Sequence, residues 1–280
     1  MSGKRIALVT CLQLPEPDPD ELWLATAVQN RGVAAEVCAW DDPAVPWHQM
    51  DAAVLRSTWN YPDCHSDFIR WATKVNGLTR LYNPLETVIW NSNKRYLLEL
   101  FEWGFPVVPT TVVGKTQPVD GFTGWPQAEE WVVKPAISAG SRGTKRFHHT
   151  QRNETIRHIQ LLQTRGDVLV QPYLKSVEER GEHAVVVIDN EVSHAVRKTA
   201  RFEGDDEHVS QAVVPTAQET ALAMAVLEKI GRKLPYARVD MAPDDQGNPL
   251  IMELELIEPS LFLKQCPKAL ERLADTLVGL

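Results

Sequence analysis

The amino-acid sequence predicts an α/β lobe at the N-terminus followed by α+β lobes. In the first third of the chain, short apolar strands alternate with amphipathic helices, which is typical of a mostly parallel sheet covered by helices. In the second half, consecutive strands are joined by tight turns, which indicates antiparallel pairing. A chain of 280 residues is long enough to build such lobes around sizeable cores.

Three strands and two helices are expected in the N-terminal lobe. Ligands of open parallel sheets bind beyond the carboxyl ends of the strands, so the loop 56–59 is expected at the edge of a cleft, with a surface loop that packs its Trp as the alternative. Arg56 is a candidate to pair with a substrate carboxylate and Ser57 a candidate substrate contact, although a structural role alone is the alternative. The predicted strands are 5–10, 34–40 and 52–58, and the predicted helices run from 19 to 32 and from 66 to 77.

Helices and hairpins are expected in the rest of the chain. One helix begins with the capping-box pattern Thr-x-x-Glu, formed by Thr216 and Glu219, and ends at Gly231. Asp189 and Asn190 are expected to form the turn of a hairpin. The other predicted helices are 93–103 and one around 156–162, and the predicted strands are 108–113, 130–135, 168–171, 184–188, 191–198, 237–242 and 250–256.

The last strand carries an unusual concentration of carboxylates. It reads IMELELIEP and contains no Lys, Arg or His. Glu253 and Glu255 are two residues apart and share one face of the strand, as do Arg238 and Asp240 on the preceding strand. If the strands pair, three carboxylates converge beside one guanidinium. We expect metal ions rather than side chains to balance them, and oxygen ligands favour Mg²⁺, Mn²⁺ or Ca²⁺; a solvated acidic face is the alternative.

A second candidate site follows the strand EEWVVKP. Lys134 lies at the end of this strand, and the next loop contains Ser138, Gly140, Ser141 and Gly143. Small residues allow backbone N–H groups to surround phosphate oxygens, while a lysine supplies a point charge. The segment has neither a Walker A motif nor a GxGxxG motif. A solvated hairpin loop is the alternative.

Four further positions are ambiguous by themselves. Lys94 opens a helix, where lysines are usually solvated. The connector after LVQPYL can offer backbone groups to a purine, and Glu178 or Glu182 can hold ribose hydroxyls, but the same carboxylates are typical of a solvated loop. Ser260 follows a proline and is either a substrate contact or a turn residue.

Charge and composition exclude several functional classes. A net charge of −8 does not suit a protein that grips nucleic acid or an anionic membrane. No stretch approaches the ~18 apolar residues of a membrane span, and the N-terminus lacks the pattern of a signal peptide. Four scattered cysteines without a CxxC pair favour reduced thiols. We therefore expect a cytoplasmic protein.

The order and spacing of seven segments resemble the ATP-grasp superfamily of carboxylate–amine ligases. The segments are NKRYLLEL, VVKP, the loop 138–143, LVQPYL, GEHAVVV, RVDM and MELELIEP. The resemblance implies an ATP-grasp fold with an N-terminal Rossmann-like domain at 1–83, a central subdomain with the Gly-rich loop at 84–174, and a C-terminal subdomain with the metal site at 175–280. Within the superfamily the chain is similar to the glutathione synthetase and RimK-like group. Short segments such as LRSTW and SHAVRK are similar to segments of cyclo-ligases of the D-cycloserine type, which close a ring on O-ureido-D-serine.

The resemblance also implies roles for the residues at the two candidate sites. Lys94 and Lys134 would contact the phosphates of ATP, and the loop 138–143 would fold over them. Arg238 and Lys198 would face the transferring phosphoryl group. Asp240, Glu253 and Glu255 would hold two Mg²⁺ ions, or Mn²⁺ instead.

The nucleotide base and sugar would bind in the connector region. The segment 171–174, with Gln171, Tyr173 and Leu174, would form the adenine hinge, and Glu182 or Glu178 would hold the ribose. The family commonly has Asn at the position of Glu255 and often has Glu at the position of Gln171. The departure at Glu255 adds a negative charge, so the metal preference stays open.

The activity that the resemblance implies is ATP-dependent, ADP-forming amide-bond formation on a small amino-acid-like substrate. A substrate carboxylate would attack the γ-phosphoryl group, and an amine would then displace phosphate from the acylphosphate. An intramolecular cyclo-ligase of the D-cycloserine type and a nucleotide- or metal-binding regulatory protein without turnover are the alternatives. The segments 56–61 and 199–214 are expected to face the substrate. A homodimer is the expected assembly if the protein is oligomeric.

Overall fold

The computed structural model describes residues 3–199, 202 and 208–279. Among these residues, three four-stranded sheets are surrounded by eight α-helices, and no helix has the length and apolar character needed to cross a bilayer. The predicted substrate-facing segment 199–214 lies partly outside the described residues. The strands are β1 (Arg5–Thr10), β2 (Ala34–Ala39), β3 (Ala52–Leu55), β4 (Arg80–Tyr82), β5 (Thr111–Val113), β6 (Glu130–Pro135), β7 (Lys145–His148), β8 (Val168–Pro172), β9 (Glu182–Ile188), β10 (Glu191–Lys198), β11 (Tyr236–Pro243) and β12 (Pro249–Glu255). The helices are α1 (Glu21–Gln29), α2 (His65–Asn76), α3 (Leu85–Asn91), α4 (Tyr96–Glu102), α5 (Arg152–Gln163), α6 (Ser176–Arg180), α7 (Ala217–Ile230) and α8 (Pro267–Gly279).

The N-terminal lobe is the parallel α/β unit that the alternating pattern predicts. Its strands pair in the order β2-β1-β3-β4, all parallel. The central strand β3 reads AAVL and is buried along its whole length, because helices cover both faces of a parallel sheet. On one face, Phe68 packs between Trp71 and Tyr61, with ring centroids 5.6 and 4.9 Å apart. The short elements β4 and α3 lack a strong periodic pattern and were not predicted.

Two antiparallel sheets follow, as the hairpin pattern predicts. Their strand orders are β5-β8-β6-β7 and β10-β9-β11-β12. The turn between β9 and β10 has φ angles of 49° at Asp189 and 59° at Asn190, so both residues are left-handed, as a tight hairpin of this kind requires. The elements that the sequence did not predict here are β7, α6 and α8.

The outer edge of β12 is held by groups from the segment between the N-terminal lobe and the first antiparallel sheet. The Asn91 side chain donates to Leu254 O at 2.8 Å and accepts from Leu256 N at 2.8 Å. The Tyr96 hydroxyl accepts from Leu254 N at 3.0 Å, and Ile251 N donates to Pro106 O at 2.8 Å. An edge strand would otherwise present unpaired backbone groups, so these contacts fix the position of the acidic strand.

Helix α8 returns the end of the chain to the N-terminal lobe. Leu273 of α8 and Leu24 of α1 belong to one buried core cluster, and Arg31 is bonded to Asp275 at 2.6 Å. Asp20, which is buried, accepts hydrogen bonds from Leu263 N at 3.1 Å and Lys264 N at 3.2 Å. The N-terminal lobe is therefore packed against the C-terminal segment rather than being joined to it by the chain alone.

The capping box of α7 supports a prediction about stability and pH. The Glu219 carboxylate accepts from Thr216 N at 2.7 Å and lies 2.7 Å from His183 Nδ1. Burial raises the pKa of Glu219, but these two hydrogen bonds outweigh it and lower the pKa to about 2, below its ordinary 4.5. The ionised carboxylate therefore stabilises the fold above pH 4.5, and this contribution is lost as the pH falls from 4.5 towards 2.

We expect Glu219→Gln to lower the free energy of unfolding at pH 7 and to lower it much less at pH 3. Urea denaturation of wild type and variant at both pH values measures the difference. Glu228→Gln, a change of the same kind at an exposed position of α7, is the control. An equal loss of stability for Glu219→Gln at pH 3 and pH 7 would show that the ionised carboxylate of Glu219 is not the source of the stabilisation.

Candidate active site

A cleft of about 420 Å³ lies between the two antiparallel sheets. Both sheets contribute polar side chains to it, such as Lys134 from β6 and Asp240 from β11, and the N-terminal lobe contributes Trp59 and Tyr61. The predicted site residues that line the cleft are Lys94, Lys134, Ser138, Gly140, Ser141, Gln171, Tyr173, Leu174, Glu182, Lys198, Arg238, Asp240, Glu253, Glu255 and Ser260. The predicted site residues that do not line it are Arg56, Ser57, Gly143 and Glu178.

The acidic strand pairs with β11 as the sequence predicts. In the antiparallel register Arg238 lies opposite Glu255, and Asp240 lies opposite Glu253. Arg238 makes two parallel bonds to Asp240, from Nε and Nη2, each 2.8 Å long, and its Nη2 also donates to Glu255. Lys198 Nζ, from β10, lies 2.7 Å from the same Asp240 carboxylate. A fork-shaped guanidinium suits this bidentate geometry.

The expectation that no side chain balances the acidic strand is wrong. Glu253 is bonded to Lys94 at 2.8 Å and lies 3.9 Å from Lys134, and Glu255 is bonded to Arg238. These cations come from other parts of the chain, since Lys94 precedes α4 and Lys134 lies on β6. The sequence of the strand itself contains no sign of these cations, because tertiary packing brings them to it.

Burial and mutual repulsion set the ionisation of this cluster. Burial would raise the pKa of Asp240, but Arg238 and Lys198 hold it well below its usual range. Burial raises the pKa of Glu255 to about 8. Arg238 lowers this pKa, but the neighbouring Asp240 and Glu253 carboxylates raise it and offset that effect. Burial also lowers the pKa of Lys134, although Glu253 opposes that shift. The cluster thus holds both charge signs out of water at close range.

The three predicted metal ligands are not assembled as a metal site. Within residues 3–199, 202 and 208–279, no group of three or more His, Cys, Asp or Glu side chains is arranged to hold a metal ion. Both Asp240 oxygens are bonded to Arg238 or Lys198, so this carboxylate presents no free ligand. Glu253 and Glu255 share one strand face and supply only oxygen, which suits a Mg²⁺ ion that keeps other ligands from water or phosphate. These two carboxylates suit the ion as they stand. Asp240 would ligate it only if one of its oxygens gave up its bond to Arg238 or Lys198.

The small-residue loop after β6 folds over the cleft. Ser141 and Gly143 have φ angles of 57° and 75°, and Lys94 Nζ donates to Ser138 O at 2.6 Å. A Cβ atom at Gly143 would lie 3.0 Å from Pro135 Cγ, so glycine is needed there for packing rather than for ligand contact. The loop also touches the N-terminal lobe, because Arg142 donates to Asp63 at 2.6 Å. This role of Arg142 was missed, since its partner lies in another lobe.

The predicted adenine hinge lines the cleft and lies beside a charged cluster. The Gln171 amide donates to Thr110 Oγ1 at 2.8 Å. The guanidinium of Arg146 lies 3.6 Å from the ring centroid of Tyr173 and is bonded to Glu178 at 2.5 Å. Glu178 is therefore bonded to a cation outside the cleft. Glu182 lines the cleft and is bonded to Lys198 at 2.6 Å, so Glu182 is the carboxylate that a ligand in the cleft can reach.

Arg56 and Ser57 lie beneath the cleft rather than in it. Their exposed fractions are 2% and 0%. Arg56 Nη2 donates to Pro259 O at 3.1 Å, and Ser57 Oγ donates to Thr10 Oγ1 at 2.9 Å. Both residues therefore support the loops that line the cleft, which is the structural alternative for Arg56. Trp59 and Tyr61, from the same predicted loop, reach the cleft instead.

Glu258 is a cleft residue to which the sequence assigned no role. It belongs to the acidic segment IMELELIEP and lines the cleft, and Trp59 Nε1 donates to its carbonyl oxygen at 2.9 Å. Ser260 follows it in the cleft, and its carbonyl oxygen accepts from Arg238 Nη1 at 3.1 Å. The signal for Glu258 was present in the count of acidic residues, but Glu258 lies beyond the end of β12, so the strand period did not group it with Glu253 and Glu255.

Comparison with known proteins identifies the fold and the family. Residues 6–83 match the family model of the D-cycloserine synthetase DcsG N-terminal domain. The cycloserine biosynthesis protein DcsG of Streptomyces lavendulae is 35% identical over 97% of each chain. The crystal structure of D-cycloserine synthetase DcsG superposes with a TM-score of 0.91 at 33% identity, covering 98% of this chain and 99% of that chain.

Two more distant structures share the fold. A RimK domain ATP-grasp protein from Sphaerobacter thermophilus DSM 20745 superposes with a TM-score of 0.70 at 17% identity, covering 99% of this chain and 98% of that chain. The second is the ATP-grasp ligase PsnB in complex with a phosphomimetic variant of the minimal precursor, Mg and ADP. It superposes with a TM-score of 0.66 at 18% identity, covering 98% of this chain and 97% of that chain. The ATP-grasp fold predicted by resemblance is confirmed, and the alternative of a binding protein without turnover is not supported. The chain belongs to the DcsG family of ATP-grasp ligases, and it is an ATP-dependent, ADP-forming enzyme that makes carbon–nitrogen bonds.

Proposed function

We propose that the cleft binds ATP between its two antiparallel sheets and activates a carboxylate of a small amino-acid-like substrate as an acylphosphate. The observation that carries this proposal is the meeting of four cations, three of them buried and Lys198 half-buried, with the carboxylates of the cleft under the small-residue loop 138–143. Such a cluster suits a polyanionic ligand that arrives with divalent cations, since added phosphates and added metal ions balance each other. The cations are Lys94, Lys134, Lys198 and Arg238.

In this proposal the triphosphate lies along Lys94 and Lys134 below the loop 138–143. Both lysines now neutralise Glu253, at 2.8 and 3.9 Å, and would turn to phosphate oxygens when ATP binds. Glu253 and Glu255 would then hold Mg²⁺, which neutralises charge on the β- and γ-phosphates. The structure of PsnB with Mg and ADP supports this choice of ligands, while Mn²⁺ stays an untested alternative.

Arg238 and Lys198 are proposed to act on the transferring phosphoryl group. The substrate carboxylate attacks the γ-phosphorus, the bond to the β,γ-bridging oxygen breaks, and ADP leaves. An amine then attacks the acyl carbon, inorganic phosphate leaves, and the amine proton passes to a base or to water. Arg238 would donate to the oxygens that gain charge, and Asp240, with its two 2.8 Å bonds, would fix the plane of the guanidinium.

The three segments are proposed to divide this work. Residues 1–83 would close the substrate end, 84–174 would carry the Gly-rich loop and the adenine hinge at Gln171–Leu174, and 175–280 would carry the metal strand and Glu182 at the ribose. The contact of α8 with α1 qualifies this division, since the last helix packs on the first segment. Cytoplasmic localisation and a homodimer remain predictions, and light scattering of the purified protein tests the second.

Intramolecular ring closure is the second candidate function. The observation that favours it is the 35% identity to DcsG across 97% of both chains. The two candidates differ in the source of the amine, which lies on a second molecule in one case and on the activated substrate itself in the other. A single substrate that supports both ATP cleavage and formation of a cyclic product would select ring closure.

An ATP-cleavage assay tests the proposed function. The full-length enzyme is incubated with Mg-ATP, pooled amino acids and small carboxylates, O-ureido-D-serine, and hydroxylamine as a trap. ADP, phosphate and a hydroxamate appearing together are expected, because hydroxylamine attacks an acylphosphate. AMP and pyrophosphate would mean adenylation and would contradict the mechanism.

We expect Arg238→Lys to lower kcat by about 100-fold while the KM for ATP changes only a few-fold. Lysine keeps the charge beside Asp240 but cannot reproduce the bidentate geometry or place a donor at the same oxygens. Steady-state kinetics of ADP release measures both constants, and Arg157→Lys, on the exposed surface of α5, is the control. A variant with wild-type kcat would remove Arg238 from the reacting centre.

We expect Gly143→Ala to raise the KM for ATP by about ten-fold. The φ angle of 75° and the 3.0 Å approach to Pro135 both disfavour a side chain, and a left-handed non-glycine residue costs about 1–2 kcal/mol. Gly121→Ala is the matched control, because a Cβ there meets nothing within 4 Å and no positive φ is required. Equal KM values for the two variants would show that the loop conformation does not affect ATP binding.

A further inference from the structure

Within the described part of the chain, the cleft carboxylates on β9, β11 and β12 are each paired with a cation, whereas Glu258, beyond the end of β12, is not. Among the described residues, Glu258 has no ion pair, although it lines the same cleft. Its Tyr61 hydrogen bond supplies a donor but no charge. The paired carboxylates are Glu182 with Lys198 at 2.6 Å, Asp240 with Lys198 at 2.7 Å and with Arg238, Glu253 with Lys94 at 2.8 Å, and Glu255 with Arg238.

Lys94 is the cation that acts most strongly on Glu258, but it is already bonded to other groups. Its Nζ is bonded to Glu253 at 2.8 Å and to Ser138 O at 2.6 Å. Burial raises the pKa of Glu258 to about 7, since the lowering effects of Lys94 and of the Tyr61 hydrogen bond do not offset it. A half-buried carboxylate in a cleft without a countercharge is poorly stabilised, so this position favours a ligand that brings a positive charge.

The surroundings of Glu258 are built rather than accidental. The Trp59 indole donates to the Glu258 carbonyl at 2.9 Å, and the Tyr61 ring is stacked on Phe68 with centroids 4.9 Å apart. Trp59 and Tyr61 are 9% and 3% exposed, and both line the cleft beside the carboxylate. Aromatic faces and a carboxylate together bind an alkylammonium group through charge, hydrogen bonding and cation–π attraction.

We propose that Glu258, held by Tyr61 and flanked by Trp59, binds the protonated amino group of the substrate and selects amino acids over plain carboxylic acids. This inference rests on the proposed function for the identity of the site as a substrate site. Ser260, two residues further along, accepts from Arg238 at 3.1 Å, so the ammonium position and the phosphoryl-transfer position lie along one short turn of the chain. An amino acid bound by its ammonium group at Glu258 would therefore direct its carboxylate towards Arg238.

The test separates substrate binding from ATP cleavage. Full-length wild type, Glu258→Gln and the control Glu102→Gln are saturated with Mg²⁺ and the non-hydrolysable analogue AMPPNP. Each is then titrated calorimetrically with O-ureido-D-serine, D-serine and the other amino acids of the pool, and with the N-acetyl derivative of each amino acid. Glu102 is exposed at the end of α4, and the glutamine variants keep the size of the side chain. Melting temperatures and AMPPNP affinities establish that the variants are folded and bind nucleotide.

We expect the amino acids that bind wild type to bind Glu258→Gln at least about ten-fold more weakly, because a charge-assisted hydrogen bond is lost. Their N-acetyl derivatives should bind wild type weakly and should lose nothing further in the variant. Tyr61→Phe should weaken amino-acid binding less than Glu258→Gln does, while Glu102→Gln should bind as wild type.

Equal affinity of an amino acid for wild type and Glu258→Gln would overturn the inference. So would N-acetyl derivatives that bind wild type as tightly as the free amino acids, or a wild-type protein that binds no amino acid of the pool. If the predicted affinity difference is found but no ATP is cleaved with any substrate, the ammonium-binding site at Glu258 is confirmed and the proposed function is wrong instead.

Discussion

The ion pairing of the buried Asp240 carboxylate with Arg238 and Lys198 is the interaction on which the rest of the site depends. Asp240 is 1% exposed, and burying an ionised carboxylate is costly unless every oxygen finds a partner. Arg238 and Lys198 supply those partners at 2.8 and 2.7 Å. This arrangement requires β10, β9, β11 and β12 to pair in one register, because a shift by one residue would turn Arg238 and Asp240 to the opposite face.

The same requirement explains why so much of the chain is used to hold β12. The strand is at the edge of its sheet, and its backbone is bonded to Asn91, Tyr96 and the segment near Pro106. Lys94, which balances Glu253, lies between Asn91 and Tyr96 in sequence. One short stretch of chain therefore positions the acidic strand and also supplies a countercharge to it, so that the geometry and the electrostatics of the cleft are linked.

The N-terminal lobe completes the cleft through contacts that are distant in sequence. Asp63 and the Trp59 carbonyl hold Arg142 of the small-residue loop at 2.6 and 2.7 Å, and Trp59 also donates to Glu258. Asp20 and α8 fasten this lobe to the C-terminal segment. The lobe can thus affect both nucleotide and substrate, although its own sheet carries neither the phosphate-binding lysines nor the acidic strand.

Local pattern was sufficient for most of the strands and helices, although not for α8, and also for the hairpin turn at Asp189 and the common face of Glu253 and Glu255. Periods of two and 3.6 residues and capping signals act over a few residues, so the sequence by itself determined these features. Order and spacing of the seven segments also determined the fold family. Only the tertiary structure decided which charges meet. Lys94 and Lys134 reach Glu253 of the acidic strand, and Lys198 reaches Asp240 on the neighbouring strand. It also decided that Ser57 is buried and that Glu178 is bonded outside the cleft. Coulomb interactions depend on distance in space and on burial, and neither quantity is readable from positions along a chain.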